Sequence, residues 1–484
     1  MTDTGNISES DSFLVMTKSL ELKANMCYIV FLSAVAAIGG ILFGYDTAVI
    51  SGTTGVVATQ FSLNTLQQGW YVGCALIGSI AGVICAGMLS DHFGRKLTMI
   101  LSALLFSVSA AGCALCVDFQ QLVIYRVIGG IGIGIVSIVS PIYISEVAPA
   151  GKRGTLVSMY QLAVTAGFLV AYLVNYLILR GATAAGCDAA GLMHKLFAAE
   201  YWRGMLGCEL IPDALFLFVI LLIPESPRWL IVKGKRDSAA VVLQRIYAER
   251  ASVDRQIGET ESSLKGESES EWKALLEPGI LAAVIIGSAI AILGQFMGVN
   301  AVLYYGPQIF EDAGLSSGDS LLSQVLVGAV NMLTTVIALF IIDKVGRKKL
   351  VYWGVSGMII CLLMISLFFF AGSGLGLGNG FLLTFFLLYV FCTAISISAV
   401  VFVLLSEMYP NSVRGLAMSI AGLALWVGTY LVGQLTPWLL ENLTPAGTFL
   451  LFALMCVPYM LIMWKLVPET TGKTLEEIET WWRK

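Results

Sequence analysis

Asp91-His92-Phe93-Gly94-Arg95-Lys96 closes an uncharged stretch that begins at Thr47, and it returns as Asp343-Lys344-Val345-Gly346-Arg347-Lys348 after the apolar run Ser320–Ile342. A glycine between a carboxylate and two cations makes a tight polar turn between segments that shun water, as a helical hairpin needs at a membrane surface. Two further motifs repeat at nearly the same interval. Ser145-Glu146, followed by Arg153-Gly154, reappears as Ser406-Glu407, followed by Arg414-Gly415. Pro224-Glu225-Ser226 reappears as Pro468-Glu469-Thr470. Three motif pairs in register describe one unit written twice. Many transporters are built this way, with the ligand near the bilayer midplane where the two units meet.

Composition agrees. Of 484 residues, 57% are apolar and 12% charged, against about 25% charged in a soluble domain, and the mean hydropathy is +0.85. A folded soluble chain cannot hide so much apolar surface, so a soluble enzyme and a secreted disulfide scaffold are excluded. A net charge of −4 leaves no footprint for nucleic acid. Runs long enough to cross a bilayer, roughly 20 residues each, predict an all-α integral membrane protein. Its twelve transmembrane helices form two homologous six-helix bundles. The expected divisions are a tail at 1–25, a bundle at 26–224, a polar segment at 225–277 that forms short helices, a second bundle at 278–467 and a tail at 468–484. Lysine and arginine crowd into the tails, the repeated turns and the central segment, whereas the intervening loops hold only Arg180, Lys195 and Arg203. By the positive-inside rule both termini are cytoplasmic, in a plasma or inner membrane. The polar, acidic start of the chain lacks the pattern of a cleaved signal peptide. Cys113 and Cys116 read as buried small hydrophobes within a helix, and the spacing leaves open whether Cys187 and Cys208 meet.

With these motifs stand Gly39-Gly40-Ile41-Leu42-Phe43-Gly44-Tyr45-Asp46-Thr47, Pro224-Glu225-Ser226-Pro227-Arg228 and Pro468-Glu469-Thr470-Thr471-Gly472. On them the chain resembles the sugar porter family of the major facilitator superfamily from about Cys27 to Ile478, most closely the bacterial D-xylose-type sugar:proton symporters. The resemblance implies alternating access and a cytoplasmic gate of Asp91, Arg95, Glu146, Arg153 and Glu225 with Asp343, Arg347, Glu407 and Arg414. The expectation is that Glu146 and Glu407 pair with Arg95 and Arg347 across the seam in the outward-facing state, holding the inner gate shut, and that these pairs break when it opens. Partly desolvated pairs of this kind are worth a few kcal/mol, enough to bias two conformers.

Asp46, Arg126, Glu209 and Asp213 fall within spans, where each ionisable group costs a few kcal/mol unless paired or hydrated. A carboxylate beside an arginine ionises readily; remove the arginine or dry the site, and it takes up a proton. The resemblance assigns proton uptake to Asp46, its modulation to Arg126, and a third place to Glu209; Asp213 is outside the pattern. The proton is the coupling ion, and no other cofactor is implied. Gln161, Gln295, Asn300, Tyr304, Asn331 and Trp426 match the sugar-contacting positions, and the spacing of Gln295, Asn300 and Tyr304 suits one cavity if the helix breaks near Gly298. Several neighbours depart: Phe168, Gly294 and Leu425 stand where that pattern has glutamines, and Ile397 replaces a tryptophan. Ser398-Ala399 and Phe402 replace the usual Gly-Pro and a following tryptophan at the bend of the tenth helix. The pocket is therefore expected to be more apolar than a xylose site, suiting another hexose, a deoxy sugar, a polyol or a non-sugar solute. The expected partners are a small sugar and the lipid bilayer, with the monomer as working unit. Competing readings are a facilitative uniporter with a vestigial Asp46 and a non-transporting nutrient receptor. Catalysis finds no support: there is no phosphate-binding loop and no H-E-x-x-H, His92 and His194 are isolated, and the Gly129–Gly134 segment lacks the dinucleotide pattern.

Overall fold

The computed structural model describes residues 24–184, 191–247, 249–264, 275–372, 374–410, 413–470 and 475–482; Cys187 lies outside them. The first bundle contains α1 (Met26–Val49), α2 (Thr65–Phe93), α3 (Arg95–Leu115), α4 (Phe119–Val147) and α5 (Arg153–Ala184), then a broken sixth helix, α6a (Tyr201–Gly207) and α6b (Leu210–Ile220). The second contains α7a (Pro278–Phe296), α7b (Val299–Asp312), α8 (Ser317–Val345), α9 (Arg347–Ala371), α10a (Asn379–Thr393), α10b (Ala399–Met408), α11 (Arg414–Asn442) and α12 (Thr444–Lys465). Among the described residues, 11 helical stretches are long and apolar enough to cross a membrane. The sixth run falls short only because it breaks at Cys208-Glu209. Pro212 causes the break, since it lacks an N–H and its ring crowds the Cys208 carbonyl four residues back.

Within each bundle glycines let helices approach to backbone contact. A Cβ on Gly78 or Gly82 of α2 would come within 2.3 Å of a carbonyl of α4, and one on Gly134 within 2.2 Å of the Ser79 carbonyl. The glycine-rich segment of α4 is thus a packing seam, as small residues are in membrane helices generally. Outside, Phe370, Trp353 and Ile211 stand more than 70% exposed, an apolar surface that calls for lipid.

The first and last described residues and the helices between 225 and 264 lie at one end, here called the terminal face. Helices Pro227–Val232, Arg236–Ile246 and Arg250–Leu264 form there. They are tied to the start of α1 by Asn25 N–H donating to the Ile246 carbonyl at 2.8 Å. The final helix, Leu475–Trp482, packs on α7a and α10b instead.

The repeated motifs fold into matching knots on this face. Arg95 forks onto Glu146 with both bonds at 3.1 Å, and Ser226 Oγ donates to Glu146 Oε2 at 2.5 Å. In the other half Arg347 Nη2 donates to Glu407 Oε1 at 2.8 Å, and Thr470 Oγ1 donates to Glu407 Oε2 at 2.6 Å. Lys96 Nζ reaches the Leu221 carbonyl (2.9 Å), as Lys348 Nζ reaches that of Val467 (2.7 Å). Pairing across the seam is the expectation for the state in which this face is shut; in this conformation these ion pairs lie within each half. The reason is local: Arg95 opens α3 and Glu146 closes α4, so adjacent helices deliver both groups to one spot. Asp91 pairs with Arg95 at 3.0 Å. Arg153 and Arg414 donate to backbone carbonyls of their own half, Ser145 (3.1 Å) and Tyr409 (3.3 Å). The side chain of Asp343 lies outside the described residues.

Glu225 caps α3 from beyond its start, accepting from the N–H groups of Arg95 (2.9 Å), Lys96 (3.1 Å) and Ser226 (2.8 Å). Burial pushes its carboxyl above the ordinary value, although those N–H groups and the Arg95 charge pull it down. Gly94 makes the cap possible, with φ +97° and a position where a Cβ would lie 2.2 Å from Glu225 Oε2. Gly94→Ala should therefore strain the turn and unseat the cap together, costing roughly 3 kcal/mol. A drop of several degrees in the thermal unfolding midpoint, read by tryptophan fluorescence in detergent, is the expected result.

Candidate functional site

The two halves enclose a cavity of about 710 Å³. It extends toward the terminal face past Ile84 and Gly87 of α2, Ser137 of α4, Phe402 of α10b and Ser419 of α11. At the other end the halves meet directly. Gln434 Nε2 donates to the Leu66 carbonyl (3.0 Å) and Tyr172 Oη to that of Leu303 (2.9 Å), while Thr65 Oγ1 is hydrogen-bonded to Glu441. Gly69 touches the Gln434 carbonyl so closely that a Cβ would sit 2.1 Å from it. The cavity is sealed on one side and reached from the other.

Gln161, Gln295, Asn300, Asn331 and Trp426 all line it. The break that brings Gln295 and Asn300 together is at Gly298, which has φ +91° and stands where a Cβ would strike the Phe452 ring at 2.4 Å. Across the break Asn300 Nδ2 donates to Gln295 Oε1 at 2.7 Å, and Thr429 Oγ1 donates to the same oxygen at 3.2 Å. A row of amide donors and acceptors thus faces open space, held by partners that leave further valences free. Tyr304 is placed differently. It is 2% exposed and is not among the lining residues, standing between the cavity wall and the buried charges of Asp46 and Arg126. Thr429 and Thr335 also line or brace the cavity without having stood out in the sequence.

Apolar side chains complete the lining. Phe168, Ile397 and Leu425 all line the cavity, and the Phe43 ring faces Trp426 across the seam at 5.8 Å between centroids. Gly294 does not line it; a Cβ there would meet Ile397 at 3.5 Å. In place of the Gly-Pro bend, the tenth helix carries a single π-helical turn at Ala394–Ser398. Such a turn redirects a helix without proline.

Asp46 and Arg126 are hydrogen-bonded to each other, at 1% and 2% exposure, and neither is among the residues that line the cavity. Gly129 makes room for Ser109, whose Oγ would lie 2.5 Å from a Cβ there, while Asp46 Oδ2 would lie at an ordinary 3.7 Å. Glu209 immediately precedes α6b, with no side-chain capping bond, and sits beside Asp46. Asp46 Oδ2, Arg126 Nε and Glu209 Oε1 have no hydrogen-bond partner among the described residues. Outside the spans, burial pushes the Glu200 carboxyl up, but hydrogen bonds from Arg203 and Gln60 prevail and hold it below its ordinary value.

Two duplicated helical bundles around a polar cavity, open to one face and shut to the other, define a secondary transporter. The chain belongs to the sugar (and other) transporter family, which matches residues 32–482. It is 37% identical over 462 residues to an arabinose-proton symporter of Bacillus subtilis, covering 95% of this chain and 96% of that one. It is 38% identical over 491 residues to the D-xylose-proton symporter of Escherichia coli, again covering 95% and 96%. The inward-open conformation of the E. coli xylose transporter XylE superposes with a TM-score of 0.81 at 36% identity, over 94% of this chain and all of that one.

Proposed function

We propose that this chain imports a monosaccharide or related polyol by alternating access, coupled to proton symport through Asp46. The observation that carries the reading is the pairing of two sites in one half-open molecule. A polar cavity lined by Gln161, Gln295, Asn300 and Asn331 lies at the seam, and a buried carboxylate–arginine pair lies behind it. Membership in a family that includes proton-coupled arabinose and xylose symporters supports it. The terminal face is the cytoplasmic one, in the cell membrane, as the lysine and arginine distribution requires; the present conformation is then inward-open. A single chain carries the whole cavity, so the monomer is the working unit, with no cofactor beyond the proton and no nucleic-acid partner. The apolar lining of Phe43, Phe168, Ile397 and Leu425 favours a sugar with an extended C–H face, such as a hexose or a deoxy sugar, over D-xylose.

The test is uptake into an energised sugar-negative host across pentoses, hexoses, deoxy sugars and polyols, with the external pH recorded in weak buffer. Symport gives an alkaline shift with each substrate carried; uptake without a shift leaves a uniporter. Gln295→Ala is expected to raise the half-saturating concentration of the carried sugar by one to two orders of magnitude. It removes an acceptor from the sugar and from Asn300 and Thr429 at once, and each buried unmet polar group costs about 1–3 kcal/mol. Saturation kinetics in vesicles measure the change.

A further inference from the structure

Three carboxyls, not two, are clustered here: Asp46 and Glu209 face Arg126, and Asp213 faces Asp46 and Glu209. Asp213 lies one turn beyond Glu209 on α6b, is fully buried, and has no hydrogen-bond partner for either carboxyl oxygen among the described residues. The break at Pro212 is what sets the two acids in the first turn of a new helix. The groups that face them are few. From α1 come Asp46 and Tyr45, whose hydroxyl is turned to the Met205 carbonyl at 3.2 Å. From α3, which packs on α6b, comes Cys113; from α4, Arg126; and from the sixth helix itself, Cys208 and Glu209. Arg126 is the one cation of this set, and its guanidinium is given to Asp46. An ionised Asp213 would be a buried anion with no counter-charge and no donor, a state that carboxyls escape by taking a proton.

We propose that Asp213 is a second proton-binding residue of the coupling machinery, holding a proton while Asp46 is paired with Arg126, and that its charge state governs how firmly Asp46 keeps its own proton. The inference rests on the symport reading and adds a member to it. With Asp213 neutral, Arg126 has one anionic partner to serve. With Asp213 ionised, a second anion repels the charge on Asp46, so Asp46 retains its proton longer. The three acids then titrate as one coupled set, and Asp213 acts as a positioning residue, since it is not among the residues that line the sugar cavity.

The test uses the full chain reconstituted in liposomes. Infrared titration reads buried protonated carboxyls directly and needs no substrate. Wild type should show such a band at neutral pH, Asp213→Asn should lose it, and Asp213→Glu should shift it. Proton-linked uptake of D-xylose, L-arabinose and D-glucose is then followed against pH. In Asp213→Asn the alkaline limb should move to lower pH by about one unit, because an amide cannot help Asp46 hold its proton, and Asp213→Glu should restore it. A neutral-pH band unchanged in Asp213→Asn, or an alkaline limb that stays in place, overturns the proposal. Should the asparagine variant fail to fold, an unshifted band in Asp213→Glu does the same. Wild-type uptake without proton movement would overturn the symport reading instead, and the infrared band alone would then decide whether Asp213 carries a proton.

Discussion

Asp46→Asn is expected to abolish accumulation of the carried sugar while leaving exchange of sugar across the membrane intact. A proton crossing 100 mV releases about 2.3 kcal/mol, enough to hold a gradient of roughly 50-fold. That work reaches the sugar only if some group binds the proton in one conformation and releases it in the other. Asp46 is placed to do so. It is buried and hydrogen-bonded to Arg126 in this conformation, so a rearrangement that parts the two changes the charge this carboxyl faces. Asparagine has nearly the same size but cannot ionise, and it leaves the sugar cavity untouched because Asp46 is not part of its lining. The inside-to-outside ratio of labelled sugar should therefore fall to about one in energised vesicles. Counterflow, which needs no net proton movement, should continue at a comparable rate. Preserved accumulation in this variant would remove Asp46 from the coupling and leave the sugar movement to be explained without it.

The duplicated motifs made the two-bundle fold legible, because each marks a chemical necessity: a glycine turn for a hairpin, a carboxylate for the neighbouring arginine. The break at Gly298 was legible for the same reason, since Gln295 and Asn300 cannot share a cavity on an unbroken helix. Which partners the terminal-face charges choose was not. Spacing along the chain reports that Glu146 and Arg95 come to one face, but pairing within or across the seam depends on which conformation the molecule occupies. The break in the sixth helix had a signal in Pro212, overridden in reading by an apolar run of sufficient length. Thr429 gave none. Its hydroxyl also reaches the Leu425 carbonyl of its own helix at 3.0 Å, as helical threonines commonly do, and nothing in sequence distinguishes that from a contact with Gln295. Tyr304 shows the converse, a residue whose match to a pattern is sound while its ring, in this conformation, is turned into the protein.

Gly69→Leu is expected to reduce transport at least tenfold by holding the molecule outward-open. In the present conformation α2 meets α11 with no side chain between them, and a Cβ on Gly69 would stand 2.1 Å from the Gln434 carbonyl oxygen. That obstacle is backbone, so no rotamer change relieves it. A Cβ on Gly73, one turn on, would stand 2.9 Å from Gln434 Oε1 and 3.0 Å from the Tyr430 ring, so the seam is close over a full turn. Overpacking of this kind costs about 1–3 kcal/mol or more, paid only in the conformation where the seam is shut. In the outward-open form the same leucine faces water and costs little. Each 1.4 kcal/mol moves the balance between two conformers about tenfold, so the substitution should shift the population without unfolding either bundle. Ser419→Cys, in a background with exposed Cys27 and Cys85 replaced, gives the readout. Ser419 lines the open end of the cavity, and its labelling by an impermeant maleimide from the cytoplasmic side should fall in Gly69→Leu while the thermal midpoint holds. Unaltered labelling together with unaltered uptake would mean that the shut seam accommodates the leucine, and that the contact of α2 with α11 does not set the balance between the two conformers.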